Sequence, residues 1–530
     1  MNRRSVLTLT AGAAAALLLD TPASASGTSR AAGSSVGAAS PTGVGHIGDD
    51  SRRLLTGYAA DTWRSLTAMV HPDSGLAADN IDGDLDPGGR AGYTSPTNVG
   101  CYLWSTVAAR ELGLVSPGEA RRRIRTALHS LARLERHTWS GMFYNWYHPG
   151  TGQVLRTWPI DGSTVHPFLS SVDNAWLAAA LILVGNADEA LRAEATAILS
   201  GMDFGFYYDR NARGPDFGAG LIRGGFWAER PLWWAVEGNY RGRGPNVWYT
   251  GHHYGALNSE TRIISYLAIS LGQVPPEHYF ATWRTFEPNC DWSWQEMKPV
   301  GEYREHLGVN VFEGTYRYRG LRFVPSWGGD MFEALMPDLL VPEATWAADS
   351  WGRNHPVYVR GQIAHGLDEA GYGHWGFSPS SDPFGGYREY GVDPMGLDPE
   401  GYTSDRERTR VDYGFDGCRS GAPDPAAFGD GVVTPHAVFL ALPYATDPAL
   451  AELAGLRRDF DVYGPGGFYD AVAVRSGTVA RRHLALDQGM IMASLGNLLA
   501  HDVIRRGFTA GAVERRLRPL LGIEEFTVSG

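Results

Sequence analysis

The residues best suited to chemistry lie in Tyr254-Gly-Ala-Leu-Asn-Ser-Glu260-Thr-Arg262, which runs straight into the apolar stretch Ile263 to Leu271. Leu257, Ile263, Ile264, Leu267, Ala268 and Leu271 recur at helical spacing. A helix is therefore expected over 257–271, with Glu260 in or near its opening turns. A carboxyl group at the mouth of a buried helix can give a proton to a bound substrate. Taken alone, it reads equally as a charge complementing the helix dipole. What separates the two readings is company.

Other loops repeat the pairing of aromatic ring and acid or amide. Gly141-Met-Phe-Tyr144-Asn145-Trp146-Tyr147 sets rings beside an amide, and Ser170-Ser-Val-Asp173-Asn-Ala-Trp176 leads an acid into an apolar helix. Asp291-Trp-Ser-Trp294-Gln-Glu296, Val311-Phe-Glu313 and Ser326-Trp327-Gly-Gly-Asp330-Met-Phe-Glu333 follow. Trp375, Asp382 and Tyr387 share one Gly- and Ser-rich segment; Gly467-Phe-Tyr-Asp470-Ala and Asp487-Gln-Gly489 close the series. Flat rings suit sugar faces, and amides and carboxylates suit hydroxyls. Each acid by itself reads as readily as a cap or surface charge, and Asp173 as an N-cap.

Cleaving a glycosidic bond needs one carboxylic acid to protonate the departing oxygen and a second carboxylate to activate water or attack carbon. This chain can supply both. Tyr254 or His253 as a base would instead suit a polysaccharide lyase, and an intact cleft without turnover would suit a glycan-binding protein. Neither a phosphate-cradling Gly loop nor a G-x-S-x-G elbow is present. His252-His253 lack the spacing of a helical metal pair, and Asp79 to Asp86 lacks the closing Glu of a calcium loop, so no metal is assigned.

The 530 residues include 17 Trp and carry a formal net charge of -12 without a long basic block. Phosphate backbones need clustered Lys and Arg, so nucleic acid is excluded as a partner. Arg3-Arg4, the apolar run Val6 to Leu19 and Ala23-Ser24-Ala25 have the order of an export signal. The paired arginines point to the twin-arginine route, with an ordinary Sec signal as the alternative. After cleavage at about residue 25, a secreted protein with no membrane association is expected. Cys101, Cys290 and Cys418 form no disulfide framework, although one bridge such as Cys290–Cys418 is open.

These loops must be positioned by helices. Helical periodicity recurs at 52–70, 99–112, 117–136, 172–184, 187–199, 257–271, 276–285, 331–340, 351–370, 432–441, 447–457 and 486–505. Residues 26–50 are Gly, Ser, Ala and Thr and read as a flexible linker. Alternation of the strand type is scarce, with 141–147 and 312–323 the best candidates. About a dozen helices without a second linker predict one all-α domain over 51–530, an (α/α)6 toroid with a loop-built cleft at one end. Two separate bundles are the alternative.

Read together, Ser95-Pro-Thr-Asn98, Phe143-Tyr-Asn-Trp-Tyr147, Ser171-Val-Asp173-Asn, Tyr207-Tyr-Asp209, Tyr254-Gly-x-Leu-x-Ser-Glu260-x-Arg262 and Gly272-Gln-Val-Pro275 resemble the glucoamylase-like family. Ser326-Trp-Gly-Gly-x-Met-Phe-Glu333, Trp375-Gly-Phe-Ser, Asp430-Gly-Val-Val-x-Pro435, Gly467-Phe-Tyr-Asp470-Ala and Asp487-Gln-Gly489 continue it in order. That family includes endo-β-1,2-glucanases of glycoside hydrolase family 144 and a domain of cyclic β-1,2-glucan synthases. The resemblance spans about residues 53 to 505. It implies an (α/α)6 barrel and cofactor-free inverting hydrolysis of a β-glucan by a monomer on a polysaccharide or oligosaccharide substrate. It makes Glu260 the general acid and Asp470 the base-side carboxylate, with Asp487 close behind. Tyr144, Asn145, Trp146, Asp173, Tyr254, Trp294, Glu296, Glu313, Trp327, Trp375, Asp382 and Tyr387 are the expected substrate contacts. Glu389 to Asp430 and Glu237 to Asn246 read as added loops that reshape the cleft.

Overall fold

The computed structural model describes residues 47–240, 242–289, 297–397 and 428–530. The export signal, most of the linker, Trp294, Glu296, Cys290, Cys418 and the greater part of the loop after Glu389 lie outside the described residues. Residues 49 and 50, expected in the linker, already belong to the first helix.

Among the described residues there are fifteen α-helices and twenty short strands. In chain order the helices are α1 (Asp49–Met69), α2 (Pro96–Glu111), α3 (Pro117–Leu131), α4 (Ser171–Ala187), α5 (Glu189–Leu199), α6 (Arg262–Ser270), α7 (Glu277–Ala281) and α8 (Met331–Leu335). They continue as α9 (Glu343–Trp346), α10 (Trp351–Ala364), α11 (Pro435–Ala441), α12 (Thr446–Asp459), α13 (Ala485–Leu499), α14 (Val503–Thr509) and α15 (Ala512–Leu521).

Composition sorts the helices into two kinds. In α6, α8 and α11 every residue is buried, and in α2, α4 and α13 nearly every one is. Sequences such as Ala175 to Val184, apolar on all sides, must be enclosed on all sides. The helices α1, α3, α5, α12 and α15 instead keep one apolar face and show charge to water. The enclosed helices pack on one another, α2 on α4 and α13, α4 on α6, α8 on α11, and α11 on α13. The half-exposed ones lie against them, with α1 on α13 and α2, α3 on α2, α5 on α4, α12 on α11 and α15 on α6. Gly489 permits one of these approaches, since a Cβ there would lie 2.6 Å from Cys101 Cβ across the α2–α13 contact.

The link between α6 and α8 is polar. Arg262 donates to both oxygens of Glu343 at 2.7 and 2.8 Å, and to the carbonyls of Ser259, Glu333 and Ala334 at 2.9, 3.0 and 2.8 Å. Tyr266 and His355 bond the same carboxylate at 2.6 and 2.9 Å. Burial opposes ionisation of Glu343, but Arg262 and His355 outweigh it and hold the carboxyl down at about 2.

The strands correct the expectation of an all-α chain. They are two to seven residues long and lie in the loops, too short to leave a period-2 signal. Phe168–Ser170, Gly225–Trp227, Arg243–Tyr249 and Val236–Tyr240 form one antiparallel sheet that feeds directly into α4. The added loop Glu237 to Asn246 is the hairpin at its edge. Of the expected strands, 141–147 makes only isolated bridges, through Phe143 and Tyr147, while 312–323 contains one complete hairpin and the end of another.

Replacing Arg262 with Met removes one partner of a buried pair and strands the Glu343 charge. Such a loss typically costs about 3–5 kcal/mol, and chemical denaturation of the variant should show a destabilisation of that size.

Candidate functional site

Each enclosed helix begins with polar residues, and most of the expected site residues occur there or in the loops just before. Ser95 caps α2 by accepting from Asn98 N at 3.2 Å, and Ser170 caps α4 by accepting from Asp173 N at 3.2 Å. Asp173 is therefore not the cap. Its carboxylate is buried and accepts from Thr97 Oγ1 at 2.6 Å, joining the starts of α2 and α4. Asn174 next to it clamps the aromatic loop, exchanging bonds with the Phe143 backbone at 2.8 and 2.9 Å.

Glu260 stands just before α6, since the helix starts at Arg262 and not at the expected Leu257. Hydrogen bonds from α4 and to α8 hold it. Trp176 Nε1, from α4, donates to its Oε2 at 2.9 Å. Its own N–H donates to Glu333 Oε2 at 2.7 Å, and Ser259 Oγ donates to the same oxygen at 2.6 Å. Arg262 fixes the turn from the far side. Glu333 sits in the first turn of α8, capped by Asp330, whose Oδ1 accepts from Glu333 N at 2.8 Å. Burial, then the neighbouring Glu333 charge, with Glu389 and Glu260 beyond, push the Asp330 carboxyl well above its usual range. The Glu333 N–H works against this and loses.

A second group converges from elsewhere in the chain. Asp470, before a short strand, Asp487, in the first turn of α13, and His436, in the first turn of α11, bring side-chain O and N atoms within 4.8 Å of one another. Asp470 Oδ2 accepts from Ser381 N at 2.6 Å, and His436 Nδ1 lies 3.8 Å from Asp487 Oδ2. Both ring nitrogens of His436 lack a hydrogen-bond partner among the described residues, and burial lowers its pKa to about 3. Two carboxyl groups and a neutral imidazole form a polar cradle that can hold a water or a sugar hydroxyl and accept a proton.

The other expected contacts separate into kinds. Asp382 shapes the loop that delivers Ser381, accepting from Phe384 N at 2.8 Å and pairing with Arg388 at 2.6 Å, with Tyr387 on the paired strand. Tyr254 and Trp327 are half-buried, Tyr254 in a two-residue strand paired with Ile222. Trp327 N bonds Asn258 O two residues from Glu260. Tyr144, Asn145, Trp146 and Trp375 are buried, and Trp146 packs against Tyr93 and Trp158 in a small aromatic cluster. Glu313 is enclosed with Arg284 and His306, 3.6 and 2.9 Å away, in a buried ion-pair group. Trp176, Thr97 and His436 were not foreseen. Thr97 and His436 sit beside a proline at a helix start, a pattern shared by α2 and α11 that the sequence does display.

The chain has the fold of a set of solved glucanases. It superposes on an endo-β-1,2-glucanase of Chitinophaga pinensis in complex with sophorotriose and glucose, with a TM-score of 0.58, 16% identity, and coverage of 88% of this chain and 98% of the other. For an endo-β-1,2-glucanase of Talaromyces funiculosus in complex with sophorose, the TM-score is 0.57 at 14% identity, covering 88% and 89%. At these identities the likeness is one of fold. Residues 252–511 match the family model described as "Putative glucoamylase", which bears out the resemblance read from the sequence. Residues 57–205 match a model of a protein family of unknown function, DUF3131. A cyclic β-(1,2)-glucan synthase of Rhizobium meliloti is 26% identical over 268 residues, 49% of this chain but 8% of that far longer protein.

Several buried histidines make the fold sensitive to acid. Burial holds His436 at about 3 and both His278 and His483 at about 4, against roughly 6.5 unfolded. The unfolded chain therefore binds more protons as pH falls from 6.5 towards those values. Each group should remove about 1.4 kcal/mol of stability per pH unit in that window. Denaturant midpoints between pH 7 and 4 should fall accordingly, before Glu343 begins to titrate.

Proposed function

We propose that the protein is a secreted endo-β-1,2-glucanase that cleaves its substrate by inverting hydrolysis, and that it works as a monomer after export by the twin-arginine route. The observation that carries the reading is the pair of carboxyl groupings. Glu260 is held by Trp176 and Glu333, while Asp470 and Asp487 meet at His436. The contacts of α2 with α4 and α13, of α4 with α6 and of α11 with α8 and α13, with the bonds from Arg262 to α8, support an (α/α)6 barrel with these helices as its inner ring. The fold neighbours crystallised with sophorose-type sugars support the linkage, as does the matched segment of the glucan synthase.

In this reading the substrate lies across the starts of the enclosed helices. Glu260 gives its proton to the departing glycosidic oxygen as the C1–O bond breaks. A water held at the cradle bonds to C1 from the opposite face and yields its proton to Asp470, with Asp487 and His436 orienting it. An inverting enzyme leaves room for that water by spacing its two carboxyl groups roughly 6.5–9.5 Å apart. Tyr254, Trp327 and Tyr387 line the flanks, and the buried Asp173 supports the helix starts beneath them. No step calls for a cofactor.

The test is incubation of the mature protein with a panel of β-glucans, followed by separation of the products. Sophoro-oligosaccharides released first as the α-anomer are expected from β-1,2-glucan. Failure to release oligosaccharide from any β-glucan defeats the assignment. Glu260→Gln keeps shape and hydrogen bonding but not the proton, and should lower turnover by about 10²–10⁴-fold with little change in melting temperature. Asp470→Asn should do the same.

A further inference from the structure

We propose that Glu333 is the positioning residue that keeps Glu260 protonated as well as fixing its place. The proposal rests on the reading of Glu260 as proton donor. A general acid must carry its proton at the working pH, and a carboxyl at a helix start is biased the other way by the dipole. Something has to reverse that bias.

Glu333 reaches from α8 to the start of α6, where its Oε2 accepts the Glu260 N–H at 2.7 Å and the Ser259 hydroxyl at 2.6 Å. The Glu333 carboxyl group is thus hydrogen-bonded to the backbone of Glu260 itself, and a negative charge so placed disfavours ionisation of the Glu260 carboxyl. Glu333 is buried, so water screens this little.

Other charged groups near the start of α6 are engaged elsewhere. Asp330, capping α8, is buried, and its Oδ2 has no partner among the described residues. Burial first, then the Glu333 charge, push its carboxyl well above the usual range. Arg262, two residues after Glu260, is committed to Glu343 and to three carbonyls. Glu389, half-buried in its loop, acts on Asp330. Asp173 lies one turn before Trp176 on α4, with its carboxylate bonded to Thr97. Trp176 donates a single neutral N–H to Glu260.

Glu333→Gln keeps an acceptor oxygen for both donors and removes only the charge. The basic limb of kcat/KM on β-1,2-glucan should then move to lower pH by about one unit, with KM little altered. Glu333→Asp keeps the charge at shorter reach, so the limb should stay while kcat falls. A carboxyl carbon-13 NMR titration gives a readout independent of turnover, with the Glu260 signal assigned by its loss in Glu260→Gln. That signal should titrate at higher pH in the wild type than in Glu333→Gln. If it titrates at the same pH in both, Glu333 is a cap and nothing more, and the proposal is overturned. If the signal shifts as expected while no β-glucan is cleaved, the coupling stands and the functional reading falls.

Discussion

The buried fork between Arg262 and Glu343 is the constraint on which the rest of the site depends. Enclosing two charges is costly, and the return comes only when every donor and lone pair is used. Here they are. The guanidinium serves the carboxylate and three carbonyls, and the carboxylate also takes Tyr266 and His355. The carbonyls belong to Ser259, beside Glu260, and to Glu333 and Ala334. A helix of five residues such as α8 is too short to persist alone. Its first turn is held by Asp330 at one end and by Arg262 along its carbonyls, and so Glu333 can reach a neighbouring helix at a defined distance.

That arrangement sets two effects against each other at each helix start. The dipole favours a charged carboxylate by about 0.3–1 kcal/mol near the surface. Full burial opposes charge by up to about 3–5 pKa units, several kcal/mol. Burial wins unless a cation or several donors compensate. Glu343 has its cation and stays ionised at about 2. Asp330 has one backbone donor and a charged neighbour, and its carboxyl is pushed well above the usual range. Carboxyl groups shifted in opposite directions thus occur at neighbouring helix starts, which is the kind of difference that acid and base roles require.

Helix positions were readable in the sequence because their apolar periodicity is strong. The expected 172–184 and 447–457 are close to α4 and α12, although the cap of α4 is Ser170 and not Asp173. Where the periodicity was over-read, a local event explains it. The helix expected over 486–505 divides into α13 and α14 at His501 and Asp502, both with left-handed backbone. The helix expected over 351–370 ends in a π turn at His365–Glu369. The strands were illegible because two or three paired residues give no period. Asp470 and Asp487 were recognisable one by one, but their meeting with His436 is a tertiary fact, as is the bond from Trp176 to Glu260.

The aromatic residues show how far composition misleads. Seventeen tryptophans suggest a sugar-binding surface, yet Trp104, Trp176, Trp351 and Trp375 are fully enclosed and Trp146 is almost so. These rings do their work through burial, each removing a large apolar area from water, and through single N–H bonds such as Trp104 to Gly489 and Trp176 to Glu260. Other rings remain open. Trp234 is 76% exposed beside the hairpin Val236–Tyr249, and its ring covers Gly251 only a few residues before Tyr254. An indole left in water contributes nothing to folding by burial. The distinction that matters for the site is therefore exposure near a helix start, and sequence periodicity carries no record of it.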